Sequence, residues 1–310
     1  MENYLVTGGA GFIGSHLAAR LVDDGHAVRI LDNFSSGKRA NLAALRGRFE
    51  LIEGDFRDPE VCRSACRDMD VVFHIGALPS VPKSIAQPQA SHDCNVNGTF
   101  NVLMAAVEGQ CRRVIYAGSS SVYGDVEVSP KVETLRPQPK SPYAVQKLTG
   151  ELYCRSFYEC FGLETFSIRY FNVFGPRQDP QSQYAAAIPA FVTAILHDRP
   201  PTIFDDGEQT RDFTYVDNVV HANLLAAGAK RLAGQTVNAA CGRAISLNEI
   251  VRKINDLLGK NIVPVYAAPR PGDVRHSLAD NRLAQELIGY EPLVDFEEGL
   301  ARTLRYYESL

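Results

Sequence analysis

Tyr4-Leu5-Val6-Thr7 runs directly into Gly8-Gly9-Ala10-Gly11-Phe12-Ile13-Gly14, and this junction leaves the chain little choice of fold. The first four residues have the apolar, β-branched character of a short buried strand. From Ser15 to Val22 the spacing predicts an amphipathic helix, with Ile13, Leu17 and Leu21 on one face. A strand, a glycine turn and a helix in that order open a parallel βαβ unit. A second strand, Ala27 to Leu31, follows and ends at Asp32.

The same residues suit a dinucleotide. Glycines let backbone amides approach a pyrophosphate, and the amino end of the helix adds partial positive charge. Asp32, about twenty positions past the glycines, is placed to accept from the adenosine ribose hydroxyls and to repel the 2′-phosphate of NADP, so NAD is favoured. The alternation continues through short strands at Leu51–Glu53, Val71–His74 and Val114–Ala117, with a helical pattern from Asn95 to Val107. The fold class expected is therefore α/β, a Rossmann-type doubly wound parallel sheet, with Asp55, Ile75, Gly76, Asn95 and Ser119 at the ligand-binding rim. His74 reads as a structural histidine, because no second metal-ligand candidate accompanies it.

Of the thirteen tyrosines, only Tyr143 has a lysine four positions later. If Ser141-Pro142 opens a helix, Tyr143 and Lys147 share one face. An ammonium beside a phenol favours the phenolate, which makes Tyr143 a candidate general base. That helix is expected to end near Gly162, before a strand at Glu164–Tyr170. Beyond Asn172 the pattern changes to polar, proline-containing loops, a helix from Ala185 to Leu196, a helix from Val216 to Ala229 and a strand at Thr236–Asn238. Ser246 and Glu249 form a capping box, and the tail from Ile262 reads as looser. The expected division is a cofactor domain over 1–171, with roughly 212–237 returning to it, and a smaller C-terminal α/β substrate domain over 172–310.

Composition excludes several classes. A formal net charge of -4 over 310 residues offers no general basic field for nucleic acid. The seven cysteines contain no C-x-x-C pair, so neither a metal site nor a disulfide framework is expected. No apolar run approaches membrane-spanning length and no leader is evident, so the expectation is a soluble, cytoplasmic protein.

Taken together, Thr7-Gly8-x-x-Gly11-x-x-Gly14, Ser119, Tyr143-x-x-x-Lys147, Arg169-Tyr170-Phe171-Asn172, Arg211-Asp212-Phe213 and Arg270-x-Gly272-Asp273 resemble the extended short-chain dehydrogenase/reductases, specifically the nucleotide-sugar 4-epimerases. The likeness is closest to bacterial UDP-N-acetylglucosamine 4-epimerases, in Ser80-Val81-Pro82-Lys83-Ser84, in Asn172-Val173-Phe174-Gly175 with Gln178, and in Asp273-Val274-Arg275-His276-Ser277.

The resemblance implies that Tyr143 takes the proton of the sugar 4-hydroxyl, with Ser119 sharing the transfer and Lys147 holding the nicotinamide ribose. It implies NAD contacts from Gly8, Gly11, Phe12, Ile13, Gly14, Asp32, Asn33, Ser36, Gly37, Asp55, Phe56, Ile75, Gly76, Ala77, Asn95, Tyr143, Lys147, Tyr170 and Val173. It implies UDP-sugar contacts from Ser80, Lys83, Ser119, Ser120, Ser121, Tyr143, Asn172, Ala187, Ile188, Phe204, Arg211, Arg270, Asp273 and Ser277. The two arginines would grip the diphosphate, and a small Ser277 would leave room for a 2-acetamido group. Related 4,6-dehydratases carry an Asp-Glu pair where this chain has Ser120 and Ser121, which disfavours dehydration. Pro79 stands where galactose-specific epimerases carry a lysine, leaving Lys83 as the nearest cation.

The expected activity is interconversion of UDP-GlcNAc and UDP-GalNAc, extending to UDP-glucose and UDP-galactose, by a homodimer. Two alternatives remain: a 4-epimerase of UDP-glucuronate or of another nucleotide sugar, using Lys83 or Arg177, and a non-catalytic NAD-binding sensor.

Overall fold

The protein is described by a computed structural model covering residues 2–180, 187–269 and 275–310. Strands β1 (Asn3–Thr7), β2 (Ala27–Asp32), β3 (Glu50–Glu53), β4 (Val71–His74), β5 (Arg113–Ser119) and β6 (Glu164–Tyr170) join the strand Gln235–Ala239 in one sheet. Every pairing is parallel. The order runs from Gln235–Ala239 through β6, β5, β4, β1 and β2 to β3. Strand order therefore reverses between β1 and β4, and the crevice outside their carboxyl ends is where such sheets bind ligands.

Helices cover both faces, so the inner strands carry near-continuous apolar runs, Leu5-Val6 in β1 and Val71-Val72-Phe73 in β4, all fully buried. One face packs Leu17, Leu21 and Val219 against Val6, Ile30 and Phe166. The other packs Val102, Leu103 and Phe157 against Leu5, Val72 and Val114. The helix Val216–Gly228 lies against the first of these cores and leads into Gln235–Ala239.

A separate core gathers Phe174, Ile188, Val192, Phe213, Ile250, Phe296 and Leu304. Its elements are the helices Ala187–Leu196, Leu247–Leu258 and Phe296–Glu308, with three two-stranded sheets. These pair Val173–Phe174 with Thr214–Tyr215, Thr210–Asp212 with Ala244–Ser246, and Thr202–Phe204 with Val265–Ala267. Ser246 caps Leu247–Leu258 by accepting from Glu249 N at 3.1 Å.

Two expectations need correcting. The first helix spans Phe12–Asp23, beginning three residues earlier than the apolar periodicity suggested, because Gly11 is extended and serves as its N-cap. The end of the tail is also more regular than expected, with a helix at Arg282–Ile288 and a longer one at Phe296–Glu308, which Asp295 caps by accepting from Glu298 N at 2.8 Å.

Candidate active site

Gly8 turns the chain at the end of β1 with φ +66°, and a Cβ there would stand 2.6 Å from the Gly76 Cα beyond β4. Only glycine permits both the turn and that approach. Gly14 lies in the first helical turn, where a Cβ would meet Gly8 O at 2.2 Å. The helix can therefore sit directly on the loop, and the unpaired amides of its first turn reach a cleft of about 730 Å³ lined by Gly8, Gly11, Phe12, Ile13 and Gly14.

Asp32, at the end of β2, accepts from Ala10 N at 2.9 Å and from Phe34 N at 2.8 Å, which ties the glycine loop to the second strand. A carboxylate has about four lone-pair sites, so acceptor capacity remains towards the cleft that Asp32 lines. A glycine cradle, helix amides and a buried acidic residue at this separation fit a dinucleotide.

Ser119 ends β5, and its Oγ lies 2.9 Å from Ser121 Oγ while accepting from Ser121 N at 3.2 Å. Opposite it, the helix Pro142–Phe161 begins with Ser141 as N-cap, accepting from Ala144 N at 3.2 Å, and with proline in the first position. The Tyr143 amide, one of the donors a helix start leaves unpaired, donates to the buried Ser84 Oγ at 3.1 Å. The Ser119 side chain faces the Tyr143 phenol closely enough to pull its pKa down, and both residues line the cleft. Lys147 is buried one turn on, donating to Ala117 O at 2.9 Å with its ammonium 5.0 Å from the Tyr116 ring centroid.

This geometry corrects the simplest view of the pair. Burial raises the Tyr143 phenol above its ordinary value, and the Ser119 side chain draws it partly back down. Burial also lowers Lys147, to about 8. Lys147 is thus a poised cation beneath the site rather than a bare charge set against the phenol.

The cleft also brings together Asn33, Ser36, Phe56, Ile75, Gly76, Ala77, Ser120, Tyr170, Asn172, Val173, Arg211 and Ser277. Arg211 donates to Thr210 O at 2.9 Å and Arg275 O at 3.1 Å, and Ser277 N donates to Thr210 O at 3.0 Å, so strand 210–212 fixes both. Asn172, at φ +35°, donates to Asp212 O at 3.0 Å. Arg270 and Asp273 lie outside the described residues.

Other expected residues take supporting places. Asn95 is buried; it accepts from Leu78 N at 2.8 Å and donates to Gln146 Oε1 at 2.9 Å, bracing the loop after β4 against the Tyr143 helix instead of facing the rim. Asp55 is held by Asn33 Nδ2 at 2.8 Å and lowered by hydrogen bonds from Arg57. Gly37 packs behind Asp32, where a Cβ would come within 2.9 Å of the carboxylate. Ser80 is the N-cap of the helix Val81–Ala86, accepting from Lys83 N at 3.2 Å, and Lys83 is exposed. Ile188 is fully buried in the second core, Ala187 packs at its edge, and Phe204 lies in the small sheet with Val265–Ala267, none of them lining the cleft.

His74 is fully buried between Thr7 Oγ1 at 2.8 Å and Thr99 Oγ1 at 3.0 Å, and burial takes it down to about 3, so it is a neutral structural group. Among the described residues no His, Cys, Asp and Glu cluster could hold a metal, and no helix is long and apolar enough to cross a membrane.

Sequence reasoning passed over Leu78, Cys94, Lys131 and Lys140, which also line the cleft. Cys94 arrives through a π-helical turn, Asp93–Asn97, and Lys140 through its pairing with Asp125 on the loop after β5; neither carries a sequence signature.

Residues 4–240 match the NAD dependent epimerase/dehydratase family. The chain is 37% identical to the UDP-glucose 4-epimerase of Mycolicibacterium smegmatis, over 98% of each chain. It is similar to a solved UDP-N-acetylglucosamine 4-epimerase from Methanobrevibacter ruminantium in complex with UDP-N-acetylmuramic acid, with a TM-score of 0.95 and 42% identity over 99% and 98% of the two chains. A solved UDP-glucuronic acid 4-epimerase from Bacillus cereus, in complex with UDP-glucuronic acid and NAD, superposes with a TM-score of 0.92 at 32% identity over 99% of each.

Proposed function

Because the chain belongs to the NAD dependent epimerase/dehydratase family, we propose that it is a 4-epimerase interconverting UDP-GlcNAc and UDP-GalNAc, and that it also accepts UDP-glucose and UDP-galactose. The observation that carries this reading is that Ser119 and Tyr143 line one cleft with the glycine cradle and Ser277. A proton relay, a dinucleotide cradle and a roomy sugar end then share one space.

Bound NAD supplies a hydride acceptor that later returns the hydride. Tyr143, whose phenol burial alone keeps neutral, would be drawn to its phenolate by Lys147 together with the cationic nicotinamide ring and would then take the proton of the sugar 4-hydroxyl, while Ser119 would steady the reacting oxygen and Lys147 would hold the nicotinamide ribose. The sugar becomes a 4-keto hexose, turns about its diphosphate link and is reduced on its other face. Arg211 offers a planar fork to that diphosphate, with Arg270, Asp273 and Asn172 as further anchors. Ser120 and Ser121 follow Ser119, so no acid pair stands directly after it to expel water.

The alternative with UDP-glucuronate calls for a cation near the hexose. Lys83 is exposed and off the cleft, Arg177 donates to Ser15 Oγ at 3.2 Å, and of the lysines that do line the cleft Lys131 donates to Val126 O and Lys140 is paired with Asp125, which favours an uncharged sugar. The division into 1–171, with 212–237 returning, and 172–310 accords with the two separate cores. A homodimer is supported by Phe100, Leu152 and Phe161, exposed apolar side chains on the helices Gly98–Glu108 and Pro142–Phe161. Seven free cysteines accord with a reducing, cytoplasmic setting.

The test incubates the protein separately with UDP-GlcNAc, UDP-glucose and UDP-glucuronate and resolves the products by chromatography. Conversion of the acetamido and neutral sugars is expected. Exclusive conversion of the glucuronate would overturn the substrate reading.

A further inference from the structure

Lys147 needs its charge for the role given above, yet it is 3% exposed and rests on the Ala117 carbonyl. Burying an ammonium disfavours the charged form. Something nearby must oppose that penalty.

The groups facing Lys147 come from four elements. The π-helical turn contributes Cys94, whose thiol is pushed up to about 11 by burial. The end of β4 contributes His74, neutral through burial, and the middle of β5 contributes Tyr116, whose phenol burial holds well above its usual value. Its own helix contributes Tyr143, also raised by burial, Cys154, raised to about 12, and Glu151. At neutral pH both thiols and both phenols are uncharged. Burial raises the Glu151 carboxyl as well, but the Arg169 guanidinium, hydrogen-bonded to it, and Lys147 oppose that rise, and Glu151 is thus the anion among them.

Glu151 follows Lys147 by four positions in the helix Pro142–Phe161, which puts both on one face, and it is 4% exposed. Its Oε1 lies beneath the end of β5, where a Cβ on Gly118 would stand 3.1 Å away. A partner holds it there: Arg169 of β6 donates to Oε1 from Nε at 3.0 Å and to Oε2 from Nη2 at 2.7 Å, both residues being buried. Arg169 also stacks 4.7 Å over the Tyr123 ring, while its Nη1 is buried with no hydrogen-bond partner among the described residues.

Stability alone is a poor reason for this arrangement. A buried ion pair seldom outperforms apolar residues of similar size, and an unpaired buried donor costs further free energy. Its position one turn beneath Lys147 and under the strand that ends in Ser119 supplies another reason. We propose that Glu151, clamped by Arg169, is a positioning residue that keeps Lys147 an ammonium ion beneath Tyr143. The proposal rests on the epimerase reading only for what that charge is used for.

Two opposite charges one helical turn apart, about 6 Å, at an effective dielectric of about 20, shift a pKa by roughly two pH units, and partial cancellation by Arg169 leaves about one. The experiment follows the Lys147 ammonium directly by nitrogen NMR of lysine-labelled protein, with Lys147→Arg to assign the signal. In the unaltered protein Lys147 should be charged at pH 7. Glu151→Gln should lower its titration by about one pH unit and move the alkaline limb of turnover by the same amount, while Glu151→Asp restores both.

A Lys147 that is neutral at pH 7 in the unaltered protein overturns the proposal without any variant at Glu151. A Glu151→Gln protein that loses thermal stability but leaves the Lys147 titration unmoved overturns it too. Absence of turnover on every UDP-sugar, with the titration behaving as stated, defeats the epimerase reading and leaves the charge couple standing.

Discussion

Replacing Tyr143 by phenylalanine separates catalysis from binding and folding. The ring remains, the helix start is unchanged because Ser84 Oγ holds the Tyr143 backbone amide at 3.1 Å, and only the hydroxyl is lost. Ser119 Oγ still has Ser121 Oγ at 2.9 Å and Ser121 N at 3.2 Å, so no buried group is orphaned. Stability should therefore change by less than about 1 kcal/mol. Turnover is different, because a positioned acid–base group contributes about 100-fold to 10,000-fold, or roughly 3 to 5 kcal/mol of barrier. Steady-state conversion of UDP-GlcNAc, UDP-sugar binding by calorimetry and a urea melt measure the three quantities on one preparation. A variant within tenfold of the original turnover would refute Tyr143 as the base. A loss of binding that parallels the loss of turnover would show that the residue holds substrate instead.

Gly14→Ala places a methyl 2.2 Å from Gly8 O, so the helix must lift from the loop, and NAD affinity should fall by at least about tenfold; unchanged affinity in a titration contradicts the cradle. Ser277→Tyr should suppress UDP-GlcNAc more than UDP-glucose, by roughly 10-fold to 200-fold in relative kcat/KM. Equal suppression would misplace Ser277. Acid should destabilise the fold. Burial holds His16 down to about 4, with Arg177 adding to it, and His74 down to about 3. Both groups take up protons on unfolding near pH ~6.5, so their contribution is present above that pH and is lost as pH falls towards their folded values. Asp212 works the other way, since burial raises it to about 6 and its contribution is lost as pH rises through that value. Burial also lowers His221 and raises Glu133, Glu151 and Asp217, but the larger displacements are those of His16, His74 and Asp212; their balance is a net decline, and the urea midpoint should drop between pH 7 and pH 5, where a flat profile would contradict the assignment.

The parts of this molecule that follow local rules were legible in the sequence. Gly8 and Gly14 are dictated by close backbone approach, Asp32 by the end of β2, and the Tyr143 helix by its Ser141-Pro142 start. What escaped notice depends on contacts between distant segments. Asn95 looks like a rim residue until its amide is seen bridging Leu78 and Gln146. Ile188 reads as a substrate contact, but its direction into the second core is set by packing with residues as distant in sequence as Phe296 and Leu304. Asp212 reads as part of a short motif, whereas in the fold it accepts from Cys241 N at 3.0 Å and Ala279 N at 3.1 Å, joining three segments that support Arg211 and Ser277. Lys147 was expected to act on Tyr143 directly, and only the tertiary structure reveals the depth at which it sits and the Glu151–Arg169 pair beneath it.

The most direct test follows hydrogen at the inverted carbon. The protein, loaded with NAD, is given UDP-GlcNAc carrying deuterium at C4, and the UDP-GalNAc formed is analysed by mass spectrometry. Hydride withdrawn and returned within one closed site keeps the label in the product. Label replaced by hydrogen from water would contradict the account.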